Sequence, residues 1–156
     1  MPKTVYLNNA ATAWPKAPGV ARAVATALRN IPVPADRSSG SENQVMSECR
    51  QRLAAWLQVK SPDRMVLTQN ATAAINLAIL GMALGPGDRV ITSVTEHNSV
   101  LRPLRHLEVD RGVQVVVVGL DEAGHLDEAV FRRELESGAR LVALNHLSNV
   151  TGEVNP

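Results

Sequence analysis

Short apolar runs alternate along the chain with longer segments in which apolar residues recur at helical spacing. Four of the runs predict strands: residues 65–68, 89–94, 114–119 and 140–145. Three helices are predicted between these strands, over residues 71–84, 100–111 and 127–136. The alternation predicts an α/β fold with a mainly parallel sheet. Four consecutive valines within residues 114–119 predict a strand that is buried on both faces.

Two further helices are predicted before the first strand, over residues 19–29 and 42–58. In the second of them, four apolar residues recur at three- and four-residue steps and share one face: Met46, Cys49, Leu53 and Leu57. We expect this face to be buried and Trp56 to pack in the core. Residues 30–43 are rich in proline and serine, which predicts a loop and a mobile segment. Elsewhere, Gly112 is expected to end a helix and Asp127 to cap one.

Composition narrows the possible partners. The net charge of +1 at pH 7 argues against nucleic-acid binding, because phosphate contacts need a surplus of basic residues. No apolar run approaches the roughly 20 residues that a membrane span needs, so no membrane partner is expected. The single cysteine, Cys49, excludes an intramolecular disulfide and fits a cytoplasmic location.

Polar side chains follow three of the predicted strands, where an open parallel sheet binds its ligands. The first segment, residues 68–72, leads into a helix whose unpaired N–H groups favour an anion; alternatively Asn70 or Thr72 only caps that helix. The second contains His97, which could stack on a flat ring, move a proton or simply bond to nearby backbone. The third, residues 145–152, offers amides for a ligand or for a turn. The histidine spacing matches no metal motif, so no metal is expected.

Taken in order, these segments resemble aminotransferase class V, the family of pyridoxal-phosphate enzymes that includes the cysteine desulfurases. The resemblance rests on residues 6–12 with 14–16, 68–72 with 75–78, 87–92 with 96–99, and 148–152. It implies that the Ala71 N–H and Thr72 hold the cofactor phosphate. It also implies that His97 stacks on the pyridine ring and assists proton transfer, while Asn149 bonds the ring's O3′ oxygen.

The resemblance further implies an enzyme that acts on an amino acid, with sulfur removal from cysteine expected, and that works as a homodimer. The family's cofactor-linking lysine lies downstream of its asparagine, whereas this sequence has only Lys3, Lys16 and Lys60. Cys49 also lies too early to be the family's nucleophile. We therefore expect residues 1–40 to form an arm, helix and loop, and residues 41–156 to be a partial cofactor-binding domain, truncated before the lysine and inactive alone.

Within the enzyme class, a selenocysteine lyase, an aminotransferase or another β-eliminating enzyme would share all four motifs. Two further interpretations also stay open. A small α/β module could bind a phosphate-bearing ligand without catalysis. The chain could also be one half of a split enzyme, because a sheet that lacks neighbouring strands exposes edges and apolar patches.

Overall fold

A computed structural model describes residues 5–29 and 44–155, and the chain divides into two units, Met1–Met65 and Val66–Pro156. The described part of the first unit contains helix α1 (Val20–Arg29), helix α2 (Gln44–Trp56) and a 3-10 turn (Pro62–Arg64). The predicted loop at residues 30–43, and with it the predicted boundary at residue 40, lies outside the described residues.

The prediction of a buried face on α2 is wrong. Met46 and Cys49 are exposed, Trp56 is 79% exposed, and Ala54 is the buried residue of this helix. Within its own unit, α2 packs against the 3-10 turn, which is too short to cover a whole helical face. Helix α1 likewise buries none of its residues.

The second unit alternates helices and strands. Its elements are α3 (Ala71–Gly81), β1 (Arg89–Ser93), α4 (Asn98–Arg111), β2 (Gln114–Val118), α5 (Glu128–Glu136) and β3 (Leu141–Val142). The strands form one parallel sheet in the order β2-β1-β3, with Ile91 of β1 opposite Val116 and Val142. The predicted α/β fold with a parallel sheet is therefore confirmed.

Strand β1 is the centre of this unit because it is covered on both faces. Successive side chains of a strand point to opposite sides, and Val90 and Ile91 are both fully buried. The face with Val90 packs against α3 and α4, in a cluster that includes Ile79, Leu104 and Leu107. The face with Ile91 packs with Val118 and Leu126, and α5 contributes Val130 and Phe131.

The two predicted helix ends at Asp127 and Gly112 are confirmed. Asp127 caps α5 by accepting a hydrogen bond from the Val130 N–H at 2.9 Å. Gly112 ends α4 with a φ of 66°, a left-handed conformation that glycine adopts without strain. No helix among the described residues is long and apolar enough to cross a membrane.

Two strand predictions are wrong. Residues 65–68 form no strand, because no strand among the described residues pairs with them, and Val66 is 67% exposed. Strand β2 is not buried on both faces, since it lies at the sheet edge and leaves Val117 49% exposed. Strand β3 is shorter than predicted, with two residues.

Candidate functional site

Three polar segments meet near the carboxyl end of β1. They are the start of α3, the connection 94–97 between β1 and α4, and residues 145–155, which we call the 145–155 hairpin. The hairpin follows β3 and is closed by an antiparallel bridge between Leu147 and Val154. Parallel strands bring their carboxyl ends to one edge of the sheet, which is why the connection 94–97 and the hairpin come together. The start of α3 is held there by the packing of α3 against α4.

The start of α3 carries both a cap and unpaired donors. Asn70 caps the helix, because its side-chain oxygen accepts from the Ala73 N–H at 2.8 Å. The N–H groups of Ala71 and Thr72, and the Thr72 hydroxyl, have no hydrogen-bond partner among the described residues, and both residues are exposed. The capping role of Asn70 therefore leaves N–H donors unpaired at the first turn, where a helix start favours an anion.

His97 caps α4 through its ring. The Ser99 N–H donates to His97 Nδ1 at 3.1 Å, and the Ser99 hydroxyl lies 2.9 Å from the same nitrogen. A backbone N–H can only donate, so Nδ1 carries a lone pair and the neutral ring holds its proton on Nε2. This cap fixes the ring while Nε2–H and the ring faces stay available to a ligand.

Within the 145–155 hairpin, hydrogen bonds hold the turn and leave Asn149 open. The Ser148 hydroxyl accepts from the N–H groups of Val150 and Thr151, each at 3.2 Å. The buried Asn155 amide donates to the backbone and side-chain oxygens of Asn145, at 2.8 and 2.6 Å. The Asn149 side chain is exposed and has no hydrogen-bond partner in the described ranges.

Glu96 is a site residue that the sequence interpretation missed. It is 6% exposed, and its carboxylate accepts a hydrogen bond from the Asn145 N–H. Burial raises the pKa of the Glu96 carboxyl, while N–H groups of Asn145 and His97 act in the opposite direction. The signal available in the sequence was an acidic residue in the connection after a predicted strand, directly before His97.

A cavity of about 390 Å³ joins these segments. Its lining includes Ile75, Ile79, Glu96, His97, Asn145 and Asn149. His97 and Asn149 are thus brought to one cavity, whereas Ala71 and Thr72 lie one turn before Ile75 and do not line it. The Asn76 amide donates to the carbonyls of Thr72 at 2.9 Å and Ser99 at 3.3 Å, which ties the starts of α3 and α4 together.

The chemistry of these groups fits a flat ring that carries a phosphate. Unpaired helix N–H groups favour an anion, an imidazole offers a stacking face, and an amide offers a hydrogen bond to a polar ring edge. The α3 side of the cavity is apolar. Among residues 5–29 and 44–155, no group of three or more His, Cys, Asp or Glu side chains could hold a metal ion.

The family model for aminotransferase class V matches residues 5–156. The chain belongs to the aminotransferase class-V family. A relative in this comparison is a probable cysteine desulfurase from Synechocystis, 34% identical over 97% of this chain and 38% of its own length. The class-V chain spans about a third of the length of the curated relatives that it matches.

Solved structures of a cysteine desulfurase and of C-DES are similar in fold to this chain. The cysteine desulfurase CsdA from Escherichia coli is 27% identical with a TM-score of 0.62, over 73% of this chain and 32% of that one. A variant of C-DES with glycine covalently linked to its pyridoxal-phosphate cofactor is 26% identical with a TM-score of 0.61. That likeness covers 72% of this chain and 30% of C-DES.

Proposed function

We propose that this chain forms the cofactor-binding part of a cysteine desulfurase-like enzyme that uses pyridoxal 5′-phosphate. The observation that carries the proposal is the cavity at the carboxyl end of β1, which both His97 and Asn149 line. The unpaired N–H groups at the start of α3 add a place for the phosphate. The desulfurase relatives support the reaction, removal of sulfur from cysteine.

Each candidate residue has a distinct role in this proposal. The N–H groups of Ala71 and Thr72 and the Thr72 hydroxyl bind the phosphate, helped by the partial positive charge of the helix start. The His97 ring stacks on the pyridine ring, and its Nε2–H holds or moves a proton, which makes His97 the catalytic candidate. The Asn149 amide donates to the ring's O3′ oxygen.

The cofactor, when bound, supplies the electron sink for chemistry on the amino acid. The residues of this chain bind it, orient it and shield one side of it. Residues 66–156, which build the cavity, contain no lysine and no cysteine. We therefore propose that these 156 residues bind the cofactor without a covalent link and do not turn over cysteine alone.

A reduction experiment tests that last point. The purified chain is mixed with pyridoxal phosphate, treated with borohydride and mapped by mass spectrometry, and cysteine turnover is assayed in parallel. We expect scattered, substoichiometric labelling of Lys3, Lys16 and Lys60 and no turnover. A stoichiometric adduct at one lysine together with turnover of cysteine would contradict the proposal.

A titration with pyridoxamine 5′-phosphate tests the binding proposal itself. This probe lacks the aldehyde and so cannot react with lysines. We expect it to bind at least about tenfold more tightly than pyridoxamine, because a charged phosphate bonded to helix N–H groups contributes more than about 1.4 kcal/mol. His97→Ala and Asn149→Ala should each weaken binding, whereas His106→Ala, which changes an exposed histidine on α4, should not. Equal affinity for the two probes would contradict the phosphate role.

We further propose that the complete enzyme is a cytoplasmic homodimer. The free, exposed Cys49 is compatible with a reducing compartment. Analytical ultracentrifugation of the chain, with and without the remaining two thirds of a curated relative supplied in trans, measures the assembly directly.

A split enzyme is the second candidate function. In the part of the chain that the structure describes, β3 pairs with β1 alone, and its Val142 is exposed at this edge of the sheet. Such an edge favours a partner chain. Recovered desulfurase activity on mixing with the downstream part would support the split enzyme. A stable monomer that ignores that part and still binds the phosphate probe would favour a non-catalytic binding module.

A further inference from the structure

Glu96 connects two segments that are far apart in sequence. It lies just beyond β1, next to His97, and its carboxylate accepts a hydrogen bond from the Asn145 N–H, 49 residues later in the chain. Asn145 is the first residue of the 145–155 hairpin, which carries Asn149. The buried carboxylate therefore links the segment with the histidine to the segment with the amide.

Asn145 uses all of its polar groups in this region. Its N–H donates to Glu96, and its side-chain amide donates to the Thr95 carbonyl at 2.9 Å. Both of its oxygens accept from the Asn155 amide. Because these bonds share one residue, loss of the Glu96 acceptor leaves a partly buried N–H without a partner and loosens the whole junction.

Few other contacts can replace the Glu96 bond. Among the described residues, the other side-chain bonds from the hairpin to the end of β1 go to the Thr95 carbonyl, from Asn145 and from Ser148 at 3.5 Å. Both of these bonds end on one backbone oxygen, and the Ser148 bond lies at the distance limit of a hydrogen bond. Neither bond provides an acceptor for the Asn145 N–H, so loss of the Glu96 acceptor leaves that N–H without a partner.

We propose that Glu96 is a positioning residue whose carboxylate fixes the 145–155 hairpin to the end of β1 and so sets the place of Asn149 relative to His97. The hairpin attachment stands on the structure alone, whereas its effect on ligand binding rests on the proposed function. The two parts are therefore measured separately.

Amide hydrogen exchange of the full chain tests the attachment. Glu96→Ala should raise exchange across residues 145–155 by about tenfold or more, while core amides of α4 change less than about threefold. Glu96→Gln keeps an acceptor oxygen at the same distance and should restore slow exchange. Glu122→Gln, which changes an exposed carboxylate in the β2–α5 connection, serves as the matched control.

Three results would overturn the inference: unchanged exchange in Glu96→Ala, equal acceleration of α4 and the hairpin, or a Gln variant that behaves like the Ala variant. If Glu96→Ala does not fold, Glu96→Asp replaces it. The aspartate keeps the charge but withdraws the oxygen by one methylene, so it should exchange faster than Glu96→Gln.

Titration with pyridoxamine 5′-phosphate provides the second readout. We expect Glu96→Ala to bind the probe about tenfold more weakly and Glu96→Gln to bind it nearly as well as the wild type. A wild type that binds no probe would refute the proposed function and leave the exchange result to decide on Glu96. Normal probe binding in Glu96→Ala would refute the positioning role.

Discussion

The two ends of strand β1 differ in how their polar groups are used. At the amino end, the partly buried Arg89 guanidinium donates to the carbonyls of Glu134 at 3.1 Å and Gly138 at 2.7 Å. It also pairs with the Glu134 carboxylate at 2.6 Å. At the carboxyl end, Thr72 and Asn149 keep side-chain groups without partners in the described ranges.

The polar side chains at the amino end of β1 contribute to the stability of the fold, whereas some of those at the carboxyl end are available for binding. At the amino end, Arg89 makes its bonds to α5 and to the connection into β3, so it contributes to folding. At the carboxyl end, Glu96, Asn145 and Asn155 hold the frame, while other side chains stay available to a ligand. We therefore expect the cofactor at the carboxyl end of β1, where side chains are available to a ligand.

The largest expected effect comes from the core that both ends share. Leu104 is 1% exposed in the cluster that contains Val90, so Leu104→Ala should lower the free energy of unfolding by about 2–5 kcal/mol. Urea denaturation, monitored by circular dichroism, measures this change in the free energy of unfolding. Val109→Ala, at an exposed position of the same helix, should cost less than about 0.5 kcal/mol. Similar costs for the two variants would contradict this account of the core.

Substitution of Arg89, at the amino end of β1, should lower stability by a smaller amount and leave ligand binding at the carboxyl end unchanged. Arg89→Ala removes charged hydrogen bonds from partly buried partners and should cost about 1.5–3 kcal/mol, with no loss of affinity for pyridoxamine 5′-phosphate. Arg132→Ala breaks an exposed pair with Glu128 and should cost less than about 1 kcal/mol. The comparison fails if Arg89→Ala weakens probe binding in a chain that is still folded.

The smallest predicted effect is a pH dependence at the carboxyl end. Burial raises the pKa of Glu96 in the folded protein above its value in the unfolded chain. The stability that Glu96 contributes is therefore fully present below the unfolded-state pKa and is lost as the pH rises through the folded-state pKa. Wild type should therefore lose stability across this window, and Glu96→Gln should flatten the profile. Urea midpoints between about pH 4 and pH 8 measure it, with Glu122→Gln as control. Parallel profiles for wild type and Glu96→Gln would show that Glu96 titrates normally.

The sequence predicted the features that depend on neighbouring residues. The caps at Gly112 and Asp127 and the alternation of helices and strands follow from local spacing and turn chemistry. Burial was harder to predict, because it depends on which elements cover a segment. The apolar face of α2, the strand at residues 65–68 and the two-sided burial of β2 failed for this reason.

Site residues that depend on distant segments were likewise harder to predict than those that a local motif marks. Family resemblance nominated Ala71, Thr72, His97 and Asn149, and their roles stay predictions. Glu96 was missed because its environment is created by Asn145, which no local pattern connects to it. A carboxylate beside a candidate histidine is ordinary in a sequence and becomes distinctive only when a distant segment buries it.

A ligand footprint tests the central claim most directly. Amide hydrogen exchange of the full chain is measured with and without saturating pyridoxamine 5′-phosphate. We expect slower exchange at residues 71–73, 97–99 and 145–155, and unchanged exchange at residues 134–140, the amino end of the sheet. Protection at residues 134–140, or no protection at the carboxyl end, would contradict the claim that the carboxyl end of β1 binds the cofactor.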